Sequence, residues 1–384
     1  MTGPGVRSAA PPRAECRINL DAYRHNIRSL AGRLGGKAQL WPVVKANAYG
    51  HDVDRVVDAA ITAGARRLCV ATLSEAWHLR QGLAVRSPLL VMGPLDEVGL
   101  RRAVELDVSV TVLSREMLDG VEQALAARPG RSLRVHLKVD TGMGRWGVEP
   151  ADMSAILERL GRHPGVEVEG VMTHFATADD VLDPFFEVQL AAFERIVAQT
   201  RERFPNVLAH AANSAATVRD ARSHFDAVRC GVATYGLSPT QDDPDTHDLQ
   251  PVLSLRSYVA DIRERQQGES VGYCRTFVAD RAVRVAEVPI GYADGVRRTL
   301  SNRGEALVRG QRLPMVGNIS MDHCSLLLDA SEVEIGDVVT LIGTDGSARV
   351  TAEDHARWSD TINYEITCGV AGEPRLMRSH TQAP

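Results

Sequence analysis

The chain has 384 residues with 44 Lys and Arg against 49 Asp and Glu, a formal charge of −5 that leaves no basic excess to neutralise phosphates. Nucleic acid is therefore disfavoured as the main partner. With 44% apolar and 24% charged residues the composition is that of a soluble globular protein, which excludes wholesale disorder or a collagen-like fibre, and the length suits roughly two domains. No stretch approaches about 20 unbroken apolar residues, so no membrane span is expected. Six cysteines, at 16, 69, 230, 274, 324 and 368, are scattered without a C-x-x-C pair, which fits a reduced, cytoplasmic setting.

Residues 1–14 carry two Arg but no apolar h-region, and read as a flexible tail rather than a secretory signal. Short β-branched runs then alternate with helical patterns. Strands are expected at 40–45, 67–71, 88–92, 108–112, 133–139, 168–174, 207–211 and 226–230. Helices are expected to open at Asp52, at Ser74-Glu75 and at Pro150-Ala-Asp. Eight strands each followed by a helix describe an α/β (β/α)₈ TIM barrel over 15–240; alternation alone also fits a doubly wound open sheet. No G-x-G-x-x-G follows the first strand to favour a dinucleotide site. After residue 240 the texture changes to period-2 segments such as LSLRSYVADI, RVAEVPIGY and DVVTLIG, so 241–384 read as a mostly antiparallel β-domain.

Chemistry in a TIM barrel sits at the C-terminal strand ends, and polar groups collect there. Lys45 ends the first strand, Lys138 and Asp140 the fifth and His174 the sixth; Asn213 and Ser214 follow the seventh, and Arg229 ends the eighth. Taken singly, each is more ordinarily a solvated, paired or structural residue. Their coincidence at one mouth is the informative feature. A Lys leaving a buried strand can be desolvated into a carbonyl-reactive amine, as a Schiff base requires. The glycines of CGVATYG together with Ser214 can cradle a phosphate, although turn formation is the stronger explanation of those glycines viewed alone. Pyridoxal phosphate needs both features. If Arg229 faces the cofactor ring, a permanently charged donor would keep the pyridine nitrogen unprotonated and suit reversible proton transfer.

The motifs VVKANAYGHD, LKVDTGMGRWGV, THFATAD, ANSAAT, RCGVATYGL, VGYCRTF, VPIGYADG, NISMD and TINYEI, in that order from about residue 15 to 376, resemble those of the alanine racemases. That resemblance implies a fold-type III pyridoxal-phosphate enzyme, a cytoplasmic homodimer with composite active sites, supplying D-alanine as a peptidoglycan precursor. Position by position, it implies that Lys45 is the Schiff-base lysine and one catalytic base. Tyr273 is the other, on the opposite face of the substrate Cα, delivered by the partner subunit and supported by Arg145 and His174, with His174 linked to Arg229. Phosphate falls to Tyr49, Ser214, Gly231, Val232 and Tyr364. The substrate carboxylate meets Arg145 and the Met321-Asp322 segment. Lys138 matches a lysine often carbamylated in the family to position Arg145, against the plainer reading of a Lys paired with Asp140. No metal is implied.

Tyr292, Arg298 and position 318 match the substrate entryway. Here Asn318 replaces the family's usual Arg, so serine or a specialised-pathway amino acid stands as an alternative substrate. Trp146 replaces a usual Leu and Cys274 a common Gly. A fold-type III decarboxylase is a second enzyme reading, opposed by Arg229 and by the absence of a Gly-Gly-Gly run. A non-enzymatic pyridoxal-phosphate carrier would have no use for Tyr273 or the second domain.

Overall fold

A computed structural model describes residues 13–328 and 332–381. Most of the 1–14 tail lies outside the described residues. Arg13, though, is fixed rather than loose: its guanidinium pairs with the buried Asp294 at 2.6 and 2.9 Å. The described residues divide into two compact units, Leu20–Gln250 and a second made of 13–19 together with 251–328 and 332–381.

In the first unit all eight expected strands form: β2 Gln39–Pro42, β3 Leu68–Val70, β4 Leu89–Val91, β5 Ser109–Val112, β6 Leu133–Lys138, β7 Val166–Met172, β8 Leu208–His210 and β9 Ala227–Cys230. They are parallel in the order β2-β9-β8-β7-β6-β5-β4-β3. A parallel bridge from Val43 to Cys69 closes the ring, with Val44 N–H donating to the Cys69 carbonyl at 2.9 Å. This is the barrel, not an open sheet. Its strands LCV, LLV and SVTV are buried throughout, as strands covered on both faces must be. The outer helices bury one stripe each; Met153–Arg162 buries Met153, Ile156, Leu157 and Leu160, at helical spacing.

The second unit contains a seven-stranded, mostly antiparallel sheet, a three-stranded sheet and a two-stranded ribbon. One expectation is corrected here. Residues 15–19, assigned to the barrel from sequence, form β1 Glu15–Asn19 in this second unit, antiparallel to Leu253–Tyr258 and parallel to Met377–Thr381. The first unit also runs on to Gln250, past the expected boundary at 240. An alternating strand such as ECRIN reports that one face is buried, not which sheet buries it.

Candidate active site

Lys45 follows β2 at the head of a turn in which Ala46, Asn47, Ala48 and Tyr49 all have φ between 51° and 54°. Four consecutive left-handed non-glycine residues are costly, about 1–2 kcal/mol each, so other contacts must hold them. Glu75 supplies one: Oε1 accepts from Ala46 N–H at 2.7 Å while Oε2 accepts from Ala71 and Thr72 at 2.8 and 3.0 Å. Its helix is capped by Thr72 in a capping box, not by Ser74 as expected. The helix from Val53 is likewise served by Asn47 Oδ1, which accepts from Val53 N–H at 2.9 Å, rather than by Asp52. The turn folds Tyr49 back so that Lys45 Nζ lies 6.0 Å from its ring centre.

Tyr49 packs on Tyr235 and its phenol abuts Gly231, where a Cβ would overlap the hydroxyl. Ser214 Oγ accepts from the N–H groups of Gly231 and Ala233 at 3.1 and 3.2 Å. Phenol, hydroxyl and backbone of residues 231–233 are thus gathered into a small polar cradle that fits a phosphate group. Asn213 has a structural task, capping Ser214–Arg219 by accepting from Ala216 N–H at 2.9 Å.

Arg229 is buried in β9 and donates to four acceptors other than carboxylates: Nη1 to His210 Nδ1 and its carbonyl at 2.7 and 2.9 Å, Nη2 to the Thr173 and Ala211 carbonyls at 2.7 and 3.1 Å. Nη2 also lies 3.3 Å from His174 Nδ1. Burial lowers the Arg229 pKa to about 10, which still leaves it charged at neutral pH. His174 is held well below its ordinary range by burial and then by the charges of Arg229, Lys138, Arg145 and Lys45. Four cations around one neutral imidazole make this mouth strongly electropositive. Lys138 is brought to about 8 by burial, with Arg229 and Arg145 repelling its charge. Asp140 favours the Lys138 charge, and its oxygens accept from the Gly142, Gly144 and Arg145 N–H groups at 2.8, 3.2 and 3.1 Å, fixing the loop that carries the exposed Arg145. Trp146 is 51% exposed and faces a hollow lined by Leu95, Leu113 and Met117.

Sequence reading missed the support behind Arg229. His210 Nε2 lies 2.8 Å from His136 Nδ1, and His136 Nε2 lies 3.0 Å from Glu169 Oε2. Arg229 can only donate, so His210 Nδ1 accepts, its Nε2–H donates to His136 Nδ1, and His136 Nε2–H donates to Glu169, while Arg67 Nη1, 2.9 Å from the same His136 nitrogen, directs its hydrogens to Glu169 and Ser109. Both imidazoles are then neutral, in keeping with burial lowering His136 to about 4 and His210 well below its usual value. Glu169 is also held by Arg67 at 2.8 Å and by Ser109 Oγ at 2.6 Å. The pairing of β6 with β7 skips Glu169, which bulges inward, and the next residue, Gly170, lies under the His136 ring where a Cβ would overlap it. The Glu-Gly pair inside the strand VEVEGVM was the readable signal.

In the second unit Tyr273 stands on the tip of the two-stranded ribbon, 72% exposed. Tyr292 and the Met321-Asp322 segment are joined through backbone: Tyr292 N–H donates to Ser320 O at 3.0 Å and Ala293 N–H to Met321 O at 3.1 Å. Arg375 pairs with Asp322 and holds its carboxyl below the usual range. Tyr292 and Arg298 line a hollow of about 450 Å³. Tyr364, half-buried, lies on the helix Asn363–Cys368, which Arg297 ties down through Glu365 at 2.9 Å. Asn318 Nδ2 donates to the Tyr273 carbonyl at 2.8 Å.

The profile described as alanine racemase, N-terminal domain, matches residues 18–239, and that of the C-terminal domain matches 252–379. The chain belongs to the alanine racemase family. Among the relatives of this racemase, alanine racemase of Symbiobacterium thermophilum is 39% identical, covering 95% of this chain and 97% of its own. Alanine racemase 2 of Caldanaerobacter subterraneus is 36% identical, covering 95% and 94%. The solved alanine racemase from a D-cycloserine-producing Streptomyces lavendulae superposes with a TM-score of 0.92 at 36% identity, covering 98% of each chain. That of Bartonella henselae, solved with covalently bound pyridoxal phosphate, gives 0.87 at 27% identity, covering 97% of this chain and 100% of its own.

Proposed function

We infer that this alanine racemase interconverts L- and D-alanine by two-base exchange of the α-proton, with pyridoxal phosphate seated at the barrel mouth. The observation that carries the reading is the concentration of Lys45, Lys138, Arg145 and Arg229 around a neutral His174, which calls for anionic occupants. A cofactor phosphate and a substrate carboxylate supply that charge. Bound pyridoxal phosphate furnishes the electron sink that makes an amino-acid α-proton removable.

Lys45 Nζ tethers the cofactor and moves the proton on one face of the substrate Cα; Tyr273 Oη moves it on the other. Tyr49, Ser214, Gly231, Val232 and Tyr364 hold the phosphate. Arg229, able only to donate and held by carbonyls and neutral imidazoles, keeps the pyridine nitrogen unprotonated. Arg145, Met321 and Asp322 receive the substrate carboxylate, and Lys138 as a carbamate positions Arg145. Tyr292, Arg298 and Asn318 belong to the entry route. The active unit is a homodimer with composite sites; the exposure of Tyr273 at 72% and Met321 at 52% supports a partner covering that face. A cytoplasmic place and a role in D-alanine supply complete the reading.

Two substitutions test it. Lys45→Ala should abolish the absorbance band of cofactor joined to the lysine amine, whereas Tyr273→Phe should keep that band and lose about 10²–10⁴-fold in racemisation. Near wild-type racemisation by Tyr273→Phe would sink the two-base assignment. Exchange of the α-proton across a panel of amino acids, followed by NMR in deuterated buffer, reads substrate preference; serine outpacing alanine would displace alanine as substrate.

A further inference from the structure

Tyr273 is carried on unusual backbone. The strands Ser270–Val271 and Phe277–Val278 pair antiparallel, and the tip between them has Gly272, Cys274 and Arg275 at φ +71°, +60° and +49°. The Tyr273 ring is largely exposed, so its aim depends on what holds the backbone beneath it. The segment Gly317–Ile319 provides that hold. Asn318 Nδ2 donates to the Tyr273 carbonyl at 2.8 Å. The two backbones are in close approach: a Cβ on Gly317 would lie 2.6 Å from the Val271 carbonyl, and one on Gly272 3.3 Å from that of Asn318.

The segment is itself anchored. Gly317 N–H donates to Asn302 Oδ1 at 2.7 Å and Ile319 N–H to Ser301 Oγ at 2.9 Å. Asn302 Nδ2 then donates to Thr276 Oγ1 at 3.1 Å, at the far end of the Tyr273 tip. Asn318 and Asn302 therefore grip the tip from two sides through one shared segment.

We propose that Asn318 is a positioning residue for Tyr273, holding the tip so that the phenol meets the substrate α-carbon at reactive distance. The proposal deepens the two-base reading and rests on it. A primary amide on a short side chain offers its donor close to its own backbone, where the Tyr273 carbonyl lies; a long flexible cation at this position would carry its donors past that carbonyl. The entryway residue thereby acts on the acid–base machinery as well as on access.

The test uses the full-length holoenzyme with α-deuterated L- and D-alanine. The variants are Asn318→Ala, the isosteric Asn318→Asp, which replaces the donor by an acceptor, and Asn318→Gln, which keeps the amide. The two enantiomers have equal free energy, so kcat/KM must fall equally in both directions, by about 10-fold for loss of alignment. The isotope effects should nevertheless diverge. The effect should rise in the direction where the phenol removes the α-proton and fall in the direction where Lys45 does, because only the phenol step is slowed. Asn318→Gln should recover part of the loss, and cofactor absorbance should be unchanged throughout. Asn318→Asp carries the test if Asn318→Ala does not fold. Unchanged rates, or a raised KM with both isotope effects unmoved, would overturn the proposal and leave Asn318 a lining residue. A Tyr273→Phe variant racemising normally would instead refute the base assignment; a crippled Tyr273→Phe beside an unaffected Asn318→Ala refutes the positioning role alone.

Discussion

Burial acts on two cations at the barrel mouth with different results. Arg229 starts high enough that a pKa of about 10 leaves it charged, whereas Lys138, at about 8, has an appreciable neutral fraction near neutral pH. A neutral amine adds CO₂: the N–C bond forms, a proton leaves, and an anion appears beside Arg229 and Arg145. In bicarbonate at about pH 9 the native mass should exceed that of the same protein in CO₂-free buffer by one CO₂ per chain. The adduct should be lost below about pH 7, where the amine is reprotonated, and should be missing from Lys138→Ala. A wild type with no such increment at high pH would leave Lys138 a plain buried amine. The residues at the mouth were legible because each follows a strand in a conspicuous motif. Glu169, His136 and His210 were not, since a polar residue inside a strand shows its partner only once neighbouring strands are in register.

All eight barrel strands could be located from apolar runs, because burial on both faces leaves a compositional mark that periodicity preserves. The left-handed turn after β2 left no such mark: KANAYG contains only one glycine, and the positive φ angles of its four residues Ala46 to Tyr49 are imposed by contacts such as Glu75 with Ala46. Ala46 is exposed, so its strain can be tested without disturbing packing. Ala46→Gly should relieve about 1 kcal/mol or more of left-handed strain and give back roughly 0.5–1 kcal/mol in unfolded-state entropy. Thermal unfolding should therefore occur at the same or slightly higher temperature. Ala46→Val, with a β-branched side chain at φ +52°, should unfold earlier. Unfolding of the Gly variant well below wild type would mean that the turn is not strained at this residue.

The proposed composite sites make a prediction for the whole molecule. A heterodimer of a Lys45→Ala chain and a Tyr273→Phe chain contains one site with both bases intact and one with neither. Random reassortment of the two inactive homodimers should therefore restore about a quarter of the wild-type sites. Mixing followed by dissociation and reassociation, with racemisation as readout, checks this. No recovery from fully reassorted chains would place both bases on one chain. The surface on which the test depends, with Tyr273, Tyr292 and Met321 exposed on the C-terminal unit, was readable only as motifs.

By itself the sequence determined the two-part architecture, the barrel strands and the reaction family, because each is written in local composition or in contiguous motifs that need no partner to be recognised. Only the tertiary structure decided that residues 15–19 belong to the C-terminal sheet. It alone linked Arg229 to Glu169 through two neutral imidazoles, and the Asn318 amide to the Tyr273 carbonyl. Those arrangements join residues 19 to more than 350 positions apart, and hydrogen bonding of that kind depends on ångström-scale approach between backbones, which no local pattern in a chain records.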